Sequence, residues 1–294
     1  MNERMPDTDL REFLRTRRAR ITPEQAGLPP HPGVRRVPGL RREEVAQLAG
    51  VSVDYYIRLE RGRGASVSVS VLEAVARALQ LSDTERDHLF ALAKPTRRRP
   101  RVAAAQHVRP GLVQAMENIT DVPALVLGHR LDVLATNHLA RALFHGFEDL
   151  PAGERNLARF VFLNDAARDL YVDWPDNARN TVGMLRLYAS HHPHDPRLAQ
   201  LVGELSVSDT DFRRWWADHD VYLPRYGSKR YHHPLVGELT LGFEALTPTG
   251  DTDQTFGLYT VEPGSPSENA LRMLASWTAD STHINPEQPA KHER

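Results

Sequence analysis

Residues 41–62 read RREEVAQLAGVSVDYYIRLERG. Their small, apolar and capping residues predict two short helices around a tight turn. Ala46 comes four residues before Gly50 and is small enough to let the helices touch. Gly50 ends the first helix in the φ > 0 conformation that glycine adopts at little cost. Val51 is the apolar residue just past the turn, and Ser52 is a good N-cap for the second helix. Tyr56 and Leu59 fall at helical spacing on the inward face, and Gly62 closes the helix. The outward face carries Val53, Asp54, Tyr55 and Arg58. This is the plan of a helix-turn-helix, whose second helix enters the DNA major groove and reads base edges. The other reading is an ordinary αα-hairpin buried in a bundle. The agreement of several independent constraints in so short a stretch favours the first.

A length of 294 residues suggests two domains. With no cysteine, a disulfide framework, a thiolate metal site and a cysteine nucleophile are excluded. The N-terminal MNERMPDTDL is charged and lacks the apolar core of a signal peptide. No apolar run approaches a membrane span, so a soluble, cytoplasmic protein is expected. The net charge of −1 hides a polarised chain: residues 1–101 sum to +7 and residues 102–294 to −8. A basic first third suits phosphate binding, whereas DNA would repel the acidic remainder. Nearly all the positive charge is arginine, which makes forked contacts to guanine or phosphate.

Around the opening stretch, DLREFLRTRRAR at 9–20 predicts a helix with Leu10, Phe13 and Leu14 on one face. PPHPGVRRVP at 29–38 predicts a proline-rich loop, with Arg35 and Arg36 either along the DNA backbone or solvated. Ser68 caps a helix with Val71, Leu72, Val75 and Leu79 inward. Ser82 or Asp83 caps another with Leu89, Phe90 and Leu92 inward. The result is a five-helix bundle, residues 1–94. A basic Pro/Arg linker follows at 95–107, read as a solvated tether.

A second domain is expected over 108–279, with a polar tail at 280–294. Pro110 to Ile119 reads as a helix and Ala124 to Asn137 as a β-hairpin around Gly128-His129-Arg130. Asn137 to Phe144 reads as a short helix, and LARFVFL at 157–163 is strongly apolar. Helices are expected near 165–189, 195–206 and 208–219. Glu238 to Leu246 alternates strictly, with Leu239, Leu241, Phe243 and Ala245 on one side. Phe256 to Val261 can pair with it, and a last helix runs from about Ser267 to Trp277. Strands first and last with helices between indicate an α+β domain.

The chain resembles a known family over nearly its whole length. EEVAQLAGVS, DYYIRLERGRG and VLEAVARALQLSDTERDHLF are similar to the Cro/C1-type (XRE, lambda-repressor-like) helix-turn-helix. VRPGL (108–112), RLDVLATN (130–137), LPAGERNLARFVFL (150–163), FRRWWADHDV (212–221), GSKRYHHPLVGELTL (227–241) and YTVEPGSPSENALRML (259–274) resemble the ligand-binding domain of MmyB-like transcriptional regulators. The resemblance implies an all-α DNA-binding domain followed by an α+β, PAS-like domain. It also implies an effector such as a fatty acid or other amphiphile, since one member has been associated with a bound fatty acid. A proline-containing start to the fourth helix is expected from the family, where this chain has VSVSV at 67–71; Ser68 keeps the cap.

For DNA, the resemblance places Arg42 on phosphate and gives Glu60 a structural role. Glu43 and Glu44 suit the positive end of their helix. Ser52 can donate to phosphate, Tyr55 and Arg58 are the base-edge candidates beside Val53 and Asp54, and Arg61 and Arg63 suit the backbone. Tyr56 reads as core. One such motif covers few base pairs, so a homodimer on a palindromic double-stranded operator is expected.

In the second domain Phe144, Phe160, Phe162, Trp174, Trp215, Trp216, Tyr231 and Phe243 could line an apolar pocket or simply form the core. Arg155, Asn156, Lys229 and Arg230 are candidates for holding a carboxylate head. HHPHD (His191, His192, His194, Asp195) could bind Zn or Ni, but Pro193 and Pro196 break helical presentation, so a connecting loop is the preferred reading. His232 and His233 are adjacent and would point to opposite faces of a strand. No P-loop, GxSxG, HExxH or dinucleotide fingerprint occurs, so neither enzymatic activity nor a cofactor is expected. Two other readings stay open: a DNA-binding regulator whose second domain is a ligand-free dimerisation module, and a metal-dependent sensor or enzyme built on the histidine clusters.

Overall fold

A computed structural model describes residues 5–29, 37, 39–62, 67–93, 106–145, 147, 150–151, 154–251 and 253–282, without the side chains of 5–8 and 278–282. The expectations for Arg35, Arg36, Arg63, the linker up to 105 and the tail beyond 282 lie outside the described residues. By its contacts the chain divides into two units, Met1–Ala104 with Arg179–Leu223, and Ala105–Ala178 with Pro224–Arg294.

The first unit opens with α1 (Met5–Arg20), α2 (Arg42–Ala49), α3 (Val53–Glu60), α4 (Val69–Ala78) and α5 (Asp83–Ala93). Their boundaries follow the local chemistry. Gly50 has φ 65° and ψ 32°, and its N–H donates to the carbonyls of Ala46 and Gln47. Ser52 Oγ accepts from Tyr55 N at 3.2 Å, and Ser68 Oγ accepts from Val71 N at 3.3 Å. Ser82 and Glu85 form a reciprocal capping box. Phe13, Leu14, Val45, Tyr56, Leu59, Leu72, Val75 and Leu89 make one core, so the apolar spacing read from the sequence is the buried face. Val71 and Phe90 are only partly buried at its edge.

The sequence suggested one cut near 94–108. The structure instead groups 179–223 with the N-terminal helices. These residues hold the greater part of α10 (Trp174–His191), then α11 (Pro196–Ser208) and α12 (Thr210–Ala217). The reason is two buried guanidinium groups. Arg17, on α1, donates to the His219 carbonyl at 2.6 Å and pairs with Glu85 at 2.7 Å and Asp220 at 3.1 Å. Arg186, on α10, pairs with Asp9 at 3.5 Å, donates to the Trp216 carbonyl and lies 3.8 Å over the Trp216 ring. His88 is buried against Phe13, edge to face at 4.9 Å. A charge enclosed this way needs its partners in place, and here they come from elements nearly two hundred residues apart.

Gly183 sets how closely this layer packs. A Cβ there would stand 2.7 Å from Tyr222 Cβ and 2.8 Å from Tyr222 N. We expect Gly183→Ala to lower stability by about 1–3 kcal/mol, read as a lower midpoint of urea unfolding. An unchanged midpoint would mean that Tyr222 is not seated on α10.

The second unit holds α6 (Pro110–Glu117), β1 (Ala124–Leu127), β2 (Val133–Thr136), α7 (His138–Leu143), α8 (Leu157–Leu163), α9 (Asp165–Leu170), the first turn of α10, β3 (Tyr226–His233), β4 (Gly237–Leu246), β5 (Thr255–Thr260) and α13 (Pro266–Thr282). The strands form one antiparallel sheet in the order β2-β1-β5-β4-β3. The expected hairpin is β1–β2, and the alternating strands β4 and β5 pair as read. Asn137 organises the entry to α7. Its Oδ1 accepts from Ala124 N and Ala140 N, and its Nδ2 donates to the Ile119 and Val122 carbonyls.

Two expectations are corrected. The helix expected over 165–189 is two helices, broken at Tyr171–Asp173. Tyr171 bridges Tyr231, and Val172 N donates to the Arg230 carbonyl at 3.2 Å, so these residues cover the outer edge of β3. β3 itself was not marked as a strand, because YGSKRYHH is mostly polar and buries only one face, chiefly at Tyr231 and His233.

Candidate DNA-binding face and ligand site

On α3 the inward residues Tyr56, Leu59 and Glu60 are buried, while Ser52, Val53, Asp54 and Arg58 are exposed and Tyr55 is half-buried. The Arg58 guanidinium lies 5.8 Å from the Tyr55 ring centre, so the two base-edge candidates stand together on one exposed face. That ring contact leaves the N–H fork of Arg58 available to a base edge. Arg61 follows, exposed; Arg63 lies outside the described residues.

Glu60 organises this face from beneath. It accepts from Arg42 Nε at 3.0 Å and Nη2 at 3.2 Å, and from Arg18 Nη2 at 3.1 Å. Arg18 also donates to the Leu40 carbonyl at 2.7 Å. Arg42 is therefore tied to the end of α3 while its side chain stays 47% exposed. Arg11, Arg42, Glu60 and Arg61 line a cleft of about 360 Å³. Arg11 was not singled out from the sequence. Its exposed place on α1, outside the face of Leu10, Phe13 and Leu14, was the available signal.

In the second unit one face of the sheet meets α7, α8 and the Tyr171 break. Phe144 stands edge-on to Phe160 (6.2 Å), Tyr231 (6.3 Å) and Tyr259 (5.6 Å). Phe147 packs on Phe160 at 5.1 Å and Tyr171 on Tyr231 at 5.4 Å. Phe243 pairs with Tyr259 across β4–β5 and with Gly227 across β3–β4. A Cβ on Gly227 would stand 2.8 Å from the Phe243 ring, so glycine is what lets that ring lie over β3. Burial raises the tyrosine hydroxyls, Tyr259 to about 12, and holds Tyr171 and Tyr231 well above the usual tyrosine value.

Lys229 sits on the same face. Its ammonium is 5.0 Å from the Phe243 ring centre and 6.0 Å from that of Tyr171. The residue as a whole keeps some exposure, but its charged end is embedded, and burial pulls its pKa down to about 8. Among the described residues the ammonium has neither a carboxylate nor a hydrogen-bond acceptor.

The other candidates have different work. Asn156 caps α8, accepting from Ala158 N and Arg159 N, and donates to the Arg130 carbonyl and Asp132 Oδ1, so its amide is fully occupied. Arg155 donates to the Leu150 carbonyl. Arg230 forks onto Asp173 at 3.0 and 2.7 Å on the exposed side of β3. Phe162 packs on Trp174 at 5.9 Å, with the Trp174 indole donating to the Val161 carbonyl. Trp215 belongs to the first unit, where Arg179 and Arg214 lie over its ring at 5.1 and 5.4 Å. Trp216, in the same unit, carries Arg186. Phe147, Tyr171 and Tyr259 complete the cluster and were not singled out from the sequence. Only Tyr259 carried a signal, its place in the alternation of β5.

His191, His192 and His233 are held by hydrogen bonds to their surroundings. His192 stacks on Tyr188 at 4.1 Å, and Tyr188 donates to Asp195, the cap of α11. His233 Nε2 donates to the Ala142 carbonyl at 3.0 Å while Nδ1 accepts from Leu235 N, which defines a neutral tautomer; burial lowers its pKa. Among the described residues no group of three or more His, Asp or Glu is placed to hold a metal ion, and no helix is long and apolar enough to cross a membrane.

A capped turn, a buried Tyr56/Leu59 seam and an exposed, arginine-bearing second helix define a helix-turn-helix protein that binds DNA. Residues 9–89 match a helix-turn-helix domain, and residues 108–274, more than half of the chain, match the MmyB-like transcription regulator ligand binding domain. The chain belongs to the family of MmyB-like transcription regulators: it is a DNA-binding regulator that carries a ligand-binding domain. A comparison with curated proteins finds no match.

Proposed function

We propose that this chain is a Cro/C1-type (XRE) regulator that acts in the cytoplasm as a homodimer on a palindromic operator, and that its second domain is PAS-like and answers to an amphiphile such as a fatty acid. The observation that supports the DNA half is the exposed α3 face, with Arg58 over Tyr55 above the Glu60–Arg42 tie. Arg58 reads a base edge, Ser52, Arg42 and Arg61 hold phosphates, and two copies of α3 meet half-sites about 34 Å apart. The sheet order β2-β1-β5-β4-β3, with its helices inserted between β2 and β3, supports the PAS-like reading. The Lys229 ammonium beside Tyr171 and Phe243, with no carboxylate partner among the described residues, supports an amphiphile with an anionic head. A ligand changes DNA affinity only if it binds the two states unequally.

Arg58→Ala is expected to remove about 1–3 kcal/mol of base discrimination and to leave ligand binding intact. Operator selection followed by titration of wild type and variant at fixed salt measures it. Equal specificity in the two would take Arg58 out of the readout. Native mass spectrometry followed by denaturing extraction tests the ligand half. One amphiphile per chain supports a sensor. A ligand-free dimer moves the second domain to a dimerisation module.

A further inference from the structure

The chain has 34 arginines and three lysines, and two of these, Lys94 and Lys291, lie outside the described residues. The third is set among aromatic rings. Where almost every cation is a guanidinium, this position holds an amine. The chemical difference is definite: a guanidinium stays charged and is not a nucleophile, whereas a desolvated amine becomes neutral near neutral pH and attacks carbonyl carbon.

Along the inner face of β3 exposure falls from Gly227, exposed, through Lys229, partly buried, to Tyr231 and His233, both buried, so Lys229 stands at the boundary with its amine turned toward the rings. Its neighbours on the inner face, Tyr171 and Phe243, offer apolar surface and no acid. The nearby carboxylate of Asp173 is held by the fork of Arg230.

We propose that Lys229 is a reactive amine that condenses reversibly with an aldehyde bearing an apolar tail, making the second domain a sensor of apolar aldehydes. This rests on the reading of the Lys229 face as the ligand site. The nitrogen lone pair forms an N–C bond to the carbonyl carbon, and the carbonyl π pair moves to oxygen. Both hydrogens of the neutral amine then leave with that oxygen as water, and a C=N bond remains. No oxidant or reductant takes part. The tail lies against the ring cluster, and burial, which holds the amine's pKa near 8, supplies the neutral form.

The test is reductive trapping of the full-length protein with octanal and cyanoborohydride, mapped by peptide mass spectrometry. The N-terminus, Lys94 and Lys291 are the internal references. Lys229 is expected to take up one octyl group about tenfold faster than Lys94 or Lys291. Lys229→Arg, with its fold checked by circular dichroism, is expected to lose that adduct alone; Lys229→Met serves if the arginine variant misfolds. Labelling of Lys229 no faster than the other lysines overturns the proposal. A thermal-shift series with octanoate, run in parallel, separates the two readings. A shift with octanoate but no preferred adduct overturns the aldehyde chemistry and keeps the ligand site. Neither a shift nor an adduct overturns both.

Discussion

Glu60→Ala is expected to cost the DNA-binding head about 3–5 kcal/mol. Glu60 is 2% exposed and accepts from two arginines. Without its carboxylate, the buried Arg18 keeps its charge and its bond to the Leu40 carbonyl but loses its counter-ion. Removing one member of such a set leaves an uncompensated buried charge, which is why the loss exceeds that of a surface pair. Glu60→Gln keeps the shape and two acceptor lone pairs, so it should cost less than the alanine change. Urea unfolding of the three proteins measures this order. A Glu60→Ala loss below about 1 kcal/mol, the range of an exposed pair, would mean that the Arg18–Glu60–Arg42 tie is not formed. DNA binding should weaken as well, because Arg42 loses the group that aims it.

Acid is expected to destabilise the first unit well before its carboxylates titrate. Burial, followed by Arg186 and Arg17, pushes His219 down to about 3. Burial, then Arg186, Arg17, His219 and His191, holds His88 well below the usual histidine value. Arg15 also faces His219. Both rings are neutral in the folded chain and titrate near 6.5 once unfolded, so the unfolded state binds the extra protons. Their full contribution is present above about pH 6.5 and is lost as the pH falls toward the folded values, at about 1.4 kcal/mol per pH unit for each histidine. Asp9, raised by burial against the pull of Arg186, works in the opposite sense at lower pH, around the carboxylate range. Thermal midpoints between pH 7.5 and 4.5 should therefore fall steeply. They should flatten in His88→Leu/His219→Asn; asparagine tolerates the left-handed backbone that His219 adopts at φ 54°. An equally steep fall in the double variant would assign the acid sensitivity elsewhere.

The two predictions mark where local reading stops. That Tyr56 and Leu59 turn inward follows from helical spacing within one helix, and the structure buries both. That Glu60 joins them depends on Arg18, more than forty residues earlier in the chain. The resemblance marked Glu60 as structural, but nothing in its spacing identified the partners. Trp215 and Lys229 show the same limit in the second half of the chain. Both belong to family-like motifs, yet one lies in the first unit between two arginines and the other enters the aromatic cluster.

By itself the sequence determined the helix-turn-helix, the caps at Gly50, Ser52 and Ser68, the β1–β2 hairpin and the alternating strands β4 and β5. These follow from interactions spanning one turn of helix, one tight turn or one pleat, so the residues concerned are neighbours in the chain. Only the tertiary structure decided the break at Tyr171, the strand β3, the burial of Arg17, Arg186 and His88, and the setting of the Lys229 amine against aromatic rings. A polar or charged group is buried or exposed according to which partner reaches it, and here those partners come from distant elements whose local patterns do not encode the meeting.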